Sequence, residues 1–199
     1  IVSSMEKRSN PLKLNINENI ILNGSITLNK AIKSLTITSH GFHQINGIDT
    51  YQFLNITPNN NVFINNTQII NCKGEYGGAI YNEGKLTINN TILSDNSATY
   101  GGNIYNKGEL TILLSKLNNN TNVKYGGAIY NNGIAFINNT NLNNNNVTEN
   151  GGAIYNQNGT LTLNESIIEY NNAKNGGAIY SEAGLLTLPN NQLLYNNAI

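Results

Sequence analysis

A single cysteine, Cys72, stands among 199 residues, which excludes an internal disulfide framework and a metal site built on thiolates. Charge is also sparse: 11% of the residues are Asp, Glu, Lys or Arg and the net charge is zero. The clustered cations of a DNA or RNA footprint are therefore missing, and no nucleic-acid partner is expected. No apolar run approaches the roughly 18 residues that a membrane span requires, so these residues do not insert directly into a bilayer as a helix. The start, residues 1–10, lacks the apolar core of a signal peptide, so an export signal or anchor would have to lie outside the chain. A 3.6-residue apolar period is missing throughout, which excludes a helical solenoid or repeated βα units.

Catalytic constellations are scarce as well. Glu165 and Glu169 are close in sequence and Asp95 stands one repeat from Asn119, but none joins a basic partner in a recognisable pattern. His40 and His43 near Asp49 are the one grouping with metal-binding residue types, and ordinary loop histidines are the simpler reading. There is no phosphate loop and no Ser-His-Asp arrangement. The sequence thus carries the expectation of no enzyme, no catalytic residue, no metal and no cofactor.

What is present is a repeat. Gly77-Gly78-Ala79-Ile80-Tyr81-Asn82 returns at Gly101, Gly126, Gly151 and Gly176, with starts 24, 25, 25 and 25 residues apart. A fixed period in that range marks a solenoid whose unit cannot bury its apolar face alone. Asparagine fills 44 positions, a bias common in disordered segments, but apolar residues fall at fixed places in every repeat and argue for order. From Val62 onward one strand begins at Val62, Leu86, Leu110, Ala135, Leu161 and Leu186, with its first and third residues apolar. Seven residues after each start comes a second apolar column, Ile69, Leu93, Leu117, Leu142, Ile168 and Leu193. With the strand around Ile80, this predicts three short strands per coil of about 25 residues: an all-β, right-handed, single-stranded parallel β-helix. Residues 1–19 read as a lead-in or cap, 20–61 as irregular early coils and 62–199 as regular coils. The last coil has no evident cover, so the array is expected to continue beyond the fragment or to self-associate end to end.

Turn chemistry supports the stack. The paired glycines suit positive φ or close backbone approach, and a further glycine column, Gly84, Gly108, Gly133, Gly159 and Gly184, ends the Tyr-containing strand. One residue is inserted after that turn in the last two repeats, at Asn158 and near Ala183. Glu83 falls over Lys107 and Lys85 over Glu109, as parallel in-register coils require. Ten residues after each strand start, Asn96, Asn120, Asn145, Asn171 and Asn196 form a candidate structural ladder, each inward amide donating to one neighbour and accepting from the other. Cys72 ends that column as a buried small hydrophobe. Nine Asn-x-Ser/Thr sequons occur, at Asn23, Asn55, Asn65, Asn89, Asn119, Asn138, Asn146, Asn158 and Asn164; in a chain so rich in Asn and Thr, chance supplies several.

Alternation places Tyr81, Tyr105, Tyr130, Tyr155 and Tyr180 outward, as an aromatic ladder that either stacks on sugar rings or stabilises the sheet and packs beneath the turns. A second column, Tyr76, Tyr100 and Tyr125, continues as Asn150 and Asn175.

Gly-Gly-Ala-Ile, preceded by apolar-x-x-Asn as in Leu93-x-x-Asn96 and Ile168-x-x-Asn171, resembles the repeat of chlamydial polymorphic outer-membrane proteins. Leu or Ile replaces that family's usual phenylalanine. The Asn and Thr bias and the Gly-Gly-Ala-Ile-Tyr-Asn spelling resemble adhesin-like surface proteins of methanogenic archaea. The resemblance spans Val62 to Ile199 and implies an exported, extracellular β-helix at the cell surface with no catalytic residues. The leading expectation is adhesion, with cell-surface glycans or proteins of another cell as partners. A β-helix polysaccharide lyase or glycoside hydrolase and a passive structural stalk are the alternatives.

Overall fold

The computed structural model describes residues 11–199. Its strands stack in parallel into a three-sided β-solenoid, and no helix is present among the described residues. Each regular coil runs through one strand of each main sheet. In one coil these are Ile80–Asn82, Lys85–Asn89 and Ile92–Ser94; in the next they are Ile104–Asn106, Glu109–Leu113 and Lys116–Asn118. Equivalent residues pair directly, Leu86 with Leu110 and Ile80 with Ile104. A fourth, shorter line of parallel pairing, which includes Val123–Tyr125 with Val147–Asn150, joins the corner after the Asn96 column to the paired glycines.

The early coils use the same three sheets. Ser34–Ser39 pairs with Asn61–Asn65, and Leu54–Ile56 pairs with Ile80–Asn82. Residues 1–10 of the expected lead-in lie outside the described residues, but Leu12–Ile16 within it pairs in parallel with Ser34–Ser39 and forms the first described rung.

Alternation within strands explains the core. In Lys85–Asn89, Leu86 and Ile88 are buried while Lys85 is exposed, as a pleated strand with one face inward requires. Stacking then turns single positions into continuous interior columns: Leu35, Val62, Leu86, Leu110, Ala135 and Leu161 in one sheet, and Leu54, Ile80, Ile104, Ile129 and Ile154 in another, all at most 2% exposed. Each such leucine or isoleucine favours folding by about 1.5–3 kcal/mol before entropy is counted. In the last coil, Leu186, Leu188 and Leu193 continue this pattern at 37–46% exposure. Across the outside, Lys107 pairs with Glu83 at 3.1 Å and Lys85 with Glu109 at 3.2 Å; as exposed pairs they contribute tenths of a kcal/mol and mainly report the register.

The glycine pair divides two tasks. Gly77, Gly101, Gly126, Gly151 and Gly176 have φ between 61° and 73°. Their following glycines need closeness instead: a Cβ on Gly127 would collide with the carbonyl of Gly152 in the next coil.

Left-handed backbone also appears where glycine is absent. Asn66, Asn90, Leu114, Asn139, Glu165 and Asn190 form one column at φ 44–56°, and Asn71, Asp95, Asn119, Asn144, Tyr170 and Tyr195 form another at φ 50–58°. Asparagine tolerates this region because its short amide bonds locally, which accounts for part of its abundance. Leu114 has no such relief and is 60% exposed, so it gains little burial in exchange. Leu114→Asn is expected to raise unfolding free energy by about 0.5–1 kcal/mol in urea melts, and an unchanged or lower midpoint would refute this strain argument.

Candidate functional site

Polar ladders occupy the corners of the solenoid, and they fix the platform on which the tyrosines stand. The expected ladder is present: Asn120 Nδ2 donates to Asn145 Oδ1 at 2.7 Å, Asn145 to Asn171 at 2.9 Å and Asn171 to Asn196 at 2.9 Å. Each side-chain oxygen also accepts a backbone N–H from the preceding coil, as Asn145 Oδ1 does from Asn120. At the end of the column Cys72 donates its backbone N–H to Asn96 Oδ1 at 2.7 Å. The Cys72 side chain is fully buried, and burial pushes its thiol up to about 12, the character of an inert small hydrophobe.

Two further ladders went unread in the sequence. Asn82, Asn106, Asn131 and Asn156, fully buried, pass Nδ2 to Oδ1 at 2.8 Å between successive members, ending on Ser181 Oγ. The signal was in the repeated hexapeptide: if Ile80 points inward and Tyr81 outward, alternation returns Asn82 to the interior. At another corner, the hydroxyls of Ser115, Thr140 and Ser166 accept the backbone N–H of the preceding coil's Thr91, Ser115 and Thr140. They stand five residues after the strand start, a position that Asn191 takes in the last repeat, where its Oδ1 accepts the Ser166 N–H. The hydroxyls of the sequons at Asn65, Asn89, Asn138 and Asn164 are therefore buried Thr67, Thr91, Thr140 and Ser166, and these sequons coincide with two structural columns.

Asn103 interrupts the first ladder. It stands where the other coils have Ala79, Ala128, Ala153 and Ala178, and its Oδ1 accepts Asn96 Nδ2 at 2.7 Å. Its own Nδ2 is buried without a partner.

The tyrosine column stacks on itself. Ring centroids lie 5.5 Å apart for Tyr81 and Tyr105, 4.9 Å for Tyr105 and Tyr130, 4.8 Å for Tyr130 and Tyr155, and 5.3 Å for Tyr155 and Tyr180, with planes within 19° of parallel. The second column stacks likewise, Tyr76 on Tyr100 at 5.1 Å and Tyr100 on Tyr125 at 5.4 Å. It also meets the first edge-on, as Tyr100 does Tyr130 at 5.4 Å and 86°. These contacts cover the middle of the ladder, leaving Tyr130 and Tyr155 only 5–6% exposed. Facing away from the core does not make them open: between neighbouring rings there is no room for a sugar.

The ring hydroxyls reach the turn residues. Tyr81 donates to Glu83 Oε1 at 2.8 Å, Tyr130 to Gln157 Oε1 at 2.7 Å and Tyr155 to Glu182 Oε2 at 2.5 Å. The Tyr81 hydrogen bond, helped by Lys107, holds the Glu83 carboxyl below its usual range. Burial, reinforced by neighbouring tyrosines for Tyr130 and by Glu182 for Tyr155, holds both phenols well above their usual 10.0. His40, His43 and Asp49 form no metal-binding group; among the described residues no three His, Cys, Asp or Glu side chains come together in that way.

Residues 165–182, part of one coil that runs from the Ile167–Glu169 strand through Gly176-Gly177-Ala178-Ile179-Tyr180, match the Chlamydia polymorphic membrane protein repeat. No curated protein matches the chain, and no solved structure does.

Two outcomes follow from this geometry. Asn103→Ala removes an unpaired buried amide and frees Asn96 Nδ2 to rejoin its ladder, so it should stabilise the fold by about 1 kcal/mol; a loss of stability in a denaturant melt would contradict that account. Unfolded tyrosines lose their protons near pH 10 while Tyr130 and Tyr155 keep theirs, so stability is complete below pH 10 and falls as pH rises toward the native values. Tyrosinate absorbance at these two positions should therefore rise together with loss of the β-sheet circular-dichroism signal, and independent earlier ionisation would contradict the packing described.

Proposed function

We propose that this chain is a non-enzymatic, extracellular β-solenoid of a cell surface, mediating adhesion to other cells or to extracellular glycans. The observation that carries this reading is the polymorphic membrane protein repeat at residues 165–182, set in a stack whose other coils carry the same columns. A repeat of a membrane-protein family on a regular solenoid fits a surface location, because stacked coils extend along one axis and present long, repetitive faces. The near-neutral, amide-rich exterior favours hydrogen bonding over charge as the means of contact.

A non-enzymatic reading is supported by the structural contacts that hold four of the eleven acids. Glu83 and Glu109 pair with lysines of neighbouring coils, Glu149 with Lys174 at 3.7 Å, and Glu182 accepts from Tyr155. Glu83 and Glu109 line one open cleft, but each is ion-paired there, with Lys107 and Lys85 respectively, rather than set opposite the other as a free acid and base.

A passive stalk is the second reading, favoured by tyrosine rings that spend their faces on one another. Incubation of the purified chain with a panel of cell-surface polysaccharides separates the readings. Retention without shorter products is the expected result. Release of products would establish a polysaccharide-cleaving enzyme, and failure to bind any glycan or cell surface would leave the stalk.

A further inference from the structure

Both tyrosine columns stop at the same level of the solenoid. Tyr81 stands in register over Asn55 of the preceding coil, so the ring face opposite Tyr105 has no aromatic partner. Tyr76 stacks on Tyr100 by one face and is 40% exposed. Below it, Gln52 Nε2 donates to the Tyr76 carbonyl at 2.8 Å and to the Gly77 carbonyl, which fixes the Gln52 side chain as a wall. An open cleft of about 310 Å³ results, lined by Gln52, Asn55, Glu75, Tyr76 and Tyr81.

We propose that this cleft binds one uncharged pyranose ring of a glycan, stacked by its C–H face on Tyr81 in the place that the next ladder ring would occupy. The inference rests on the glycan-adhesion reading above and gives it a location. The repeat itself builds the slot: successive rings sit 4.8–5.5 Å apart, and the column ends one member short. A pyranose has an apolar face and a hydroxyl rim, and the cleft offers ring surface surrounded by two carboxamides and a carboxylate. This is the mixture of apolar lining and a few placed polar groups that small-ligand sites use. Its volume lies near the roughly 300 Å³ lower bound of such sites, which suits a single ring. Exposed Glu75 can accept sugar hydroxyls, whereas its charge opposes a uronic acid. Tyr81 is positioned in advance, by Tyr105 behind it and by its hydrogen bond to Glu83, so little freedom is lost on binding.

The test titrates the full chain with methyl glucoside, methyl galactoside, glucuronate and tetramethylammonium, following tyrosine fluorescence and ring NMR signals. Asn55 lies in a sequon, so the sample is one whose mass shows that residue unmodified. Saturable binding of a neutral glycoside at about millimolar Kd, at least tenfold weaker for glucuronate, is expected. Asn55→Tyr continues the ladder into the slot and should weaken glycoside binding at least tenfold while leaving the melting temperature unchanged or higher. Unsaturable titration of the wild type, undiminished binding by Asn55→Tyr, or preference for tetramethylammonium would overturn the site. Polysaccharide retention that survives Asn55→Tyr would overturn the site and leave adhesion standing. Glycoside binding lost in that variant, without retention of any polysaccharide or cell surface by the wild type, would uphold the site and overturn adhesion.

Discussion

A polar side chain turned into the solenoid draws its partners from an adjacent coil or from its own coil, with Asn103 Nδ2 the exception among the described residues, and this constraint governs the rest of the structure. A coil supplies only part of what its corner amides need, as Gly108 does for Asn106, and an unmet buried donor or acceptor costs about 1–3 kcal/mol. Placing the same residue type at the same corner in successive coils meets the need, as in Asn106, Asn131 and Asn156. The apolar columns supply the larger share of the driving force and exclude a one-residue slip, which would turn Leu86 and Ile88 outward. The amides add a directional check, because a coil displaced by one residue would set Asn106 against Tyr130 or Asn132 and break the Asn106–Asn131 hydrogen bond.

The tyrosines follow from that register. Rings held one coil apart by the backbone stack whether or not they serve a ligand, and the second column closes over the first. Aromatic contacts of this kind are worth about 0.5–1.5 kcal/mol each, enough to account for the ladder's middle as structure. Recognition is then pushed to places where the repetition breaks, and the break beneath Tyr81, where Asn55 stands instead of an aromatic residue, is one such place.

Much of this was legible in the sequence because a parallel stack converts period into contact. The spacing of the Gly-Gly pairs predicts that Ile80 meets Ile104 and Lys85 meets Glu109, and both pairs are present. The Asn96 ladder was legible from its fixed distance to the strand start. The Asn82 ladder and the Thr and Ser corner were equally periodic, and only alternation from Ile80 and the buried side of the Leu93 strand distinguishes them from exposed turn residues. The diversion at Asn103 and the closing of Tyr100 over Tyr130 depend on how side chains turn after the backbone is placed, which spacing alone does not encode. The left-handed columns at Leu114 and Tyr170 were hidden for another reason: residues that disfavour the conformation occupy it because neighbouring coils impose it.

A double-mutant cycle on Asn131 and Asn156, both fully buried and joined at 2.8 Å, tests most directly whether the ladders hold the coils in register. Unfolding free energies would be measured for Asn131→Ala, Asn156→Ala and the pair. The account predicts a coupling of about 1 kcal/mol or more between them. Additive losses, within about 0.3–0.5 kcal/mol, would show that the amides act separately and contradict it.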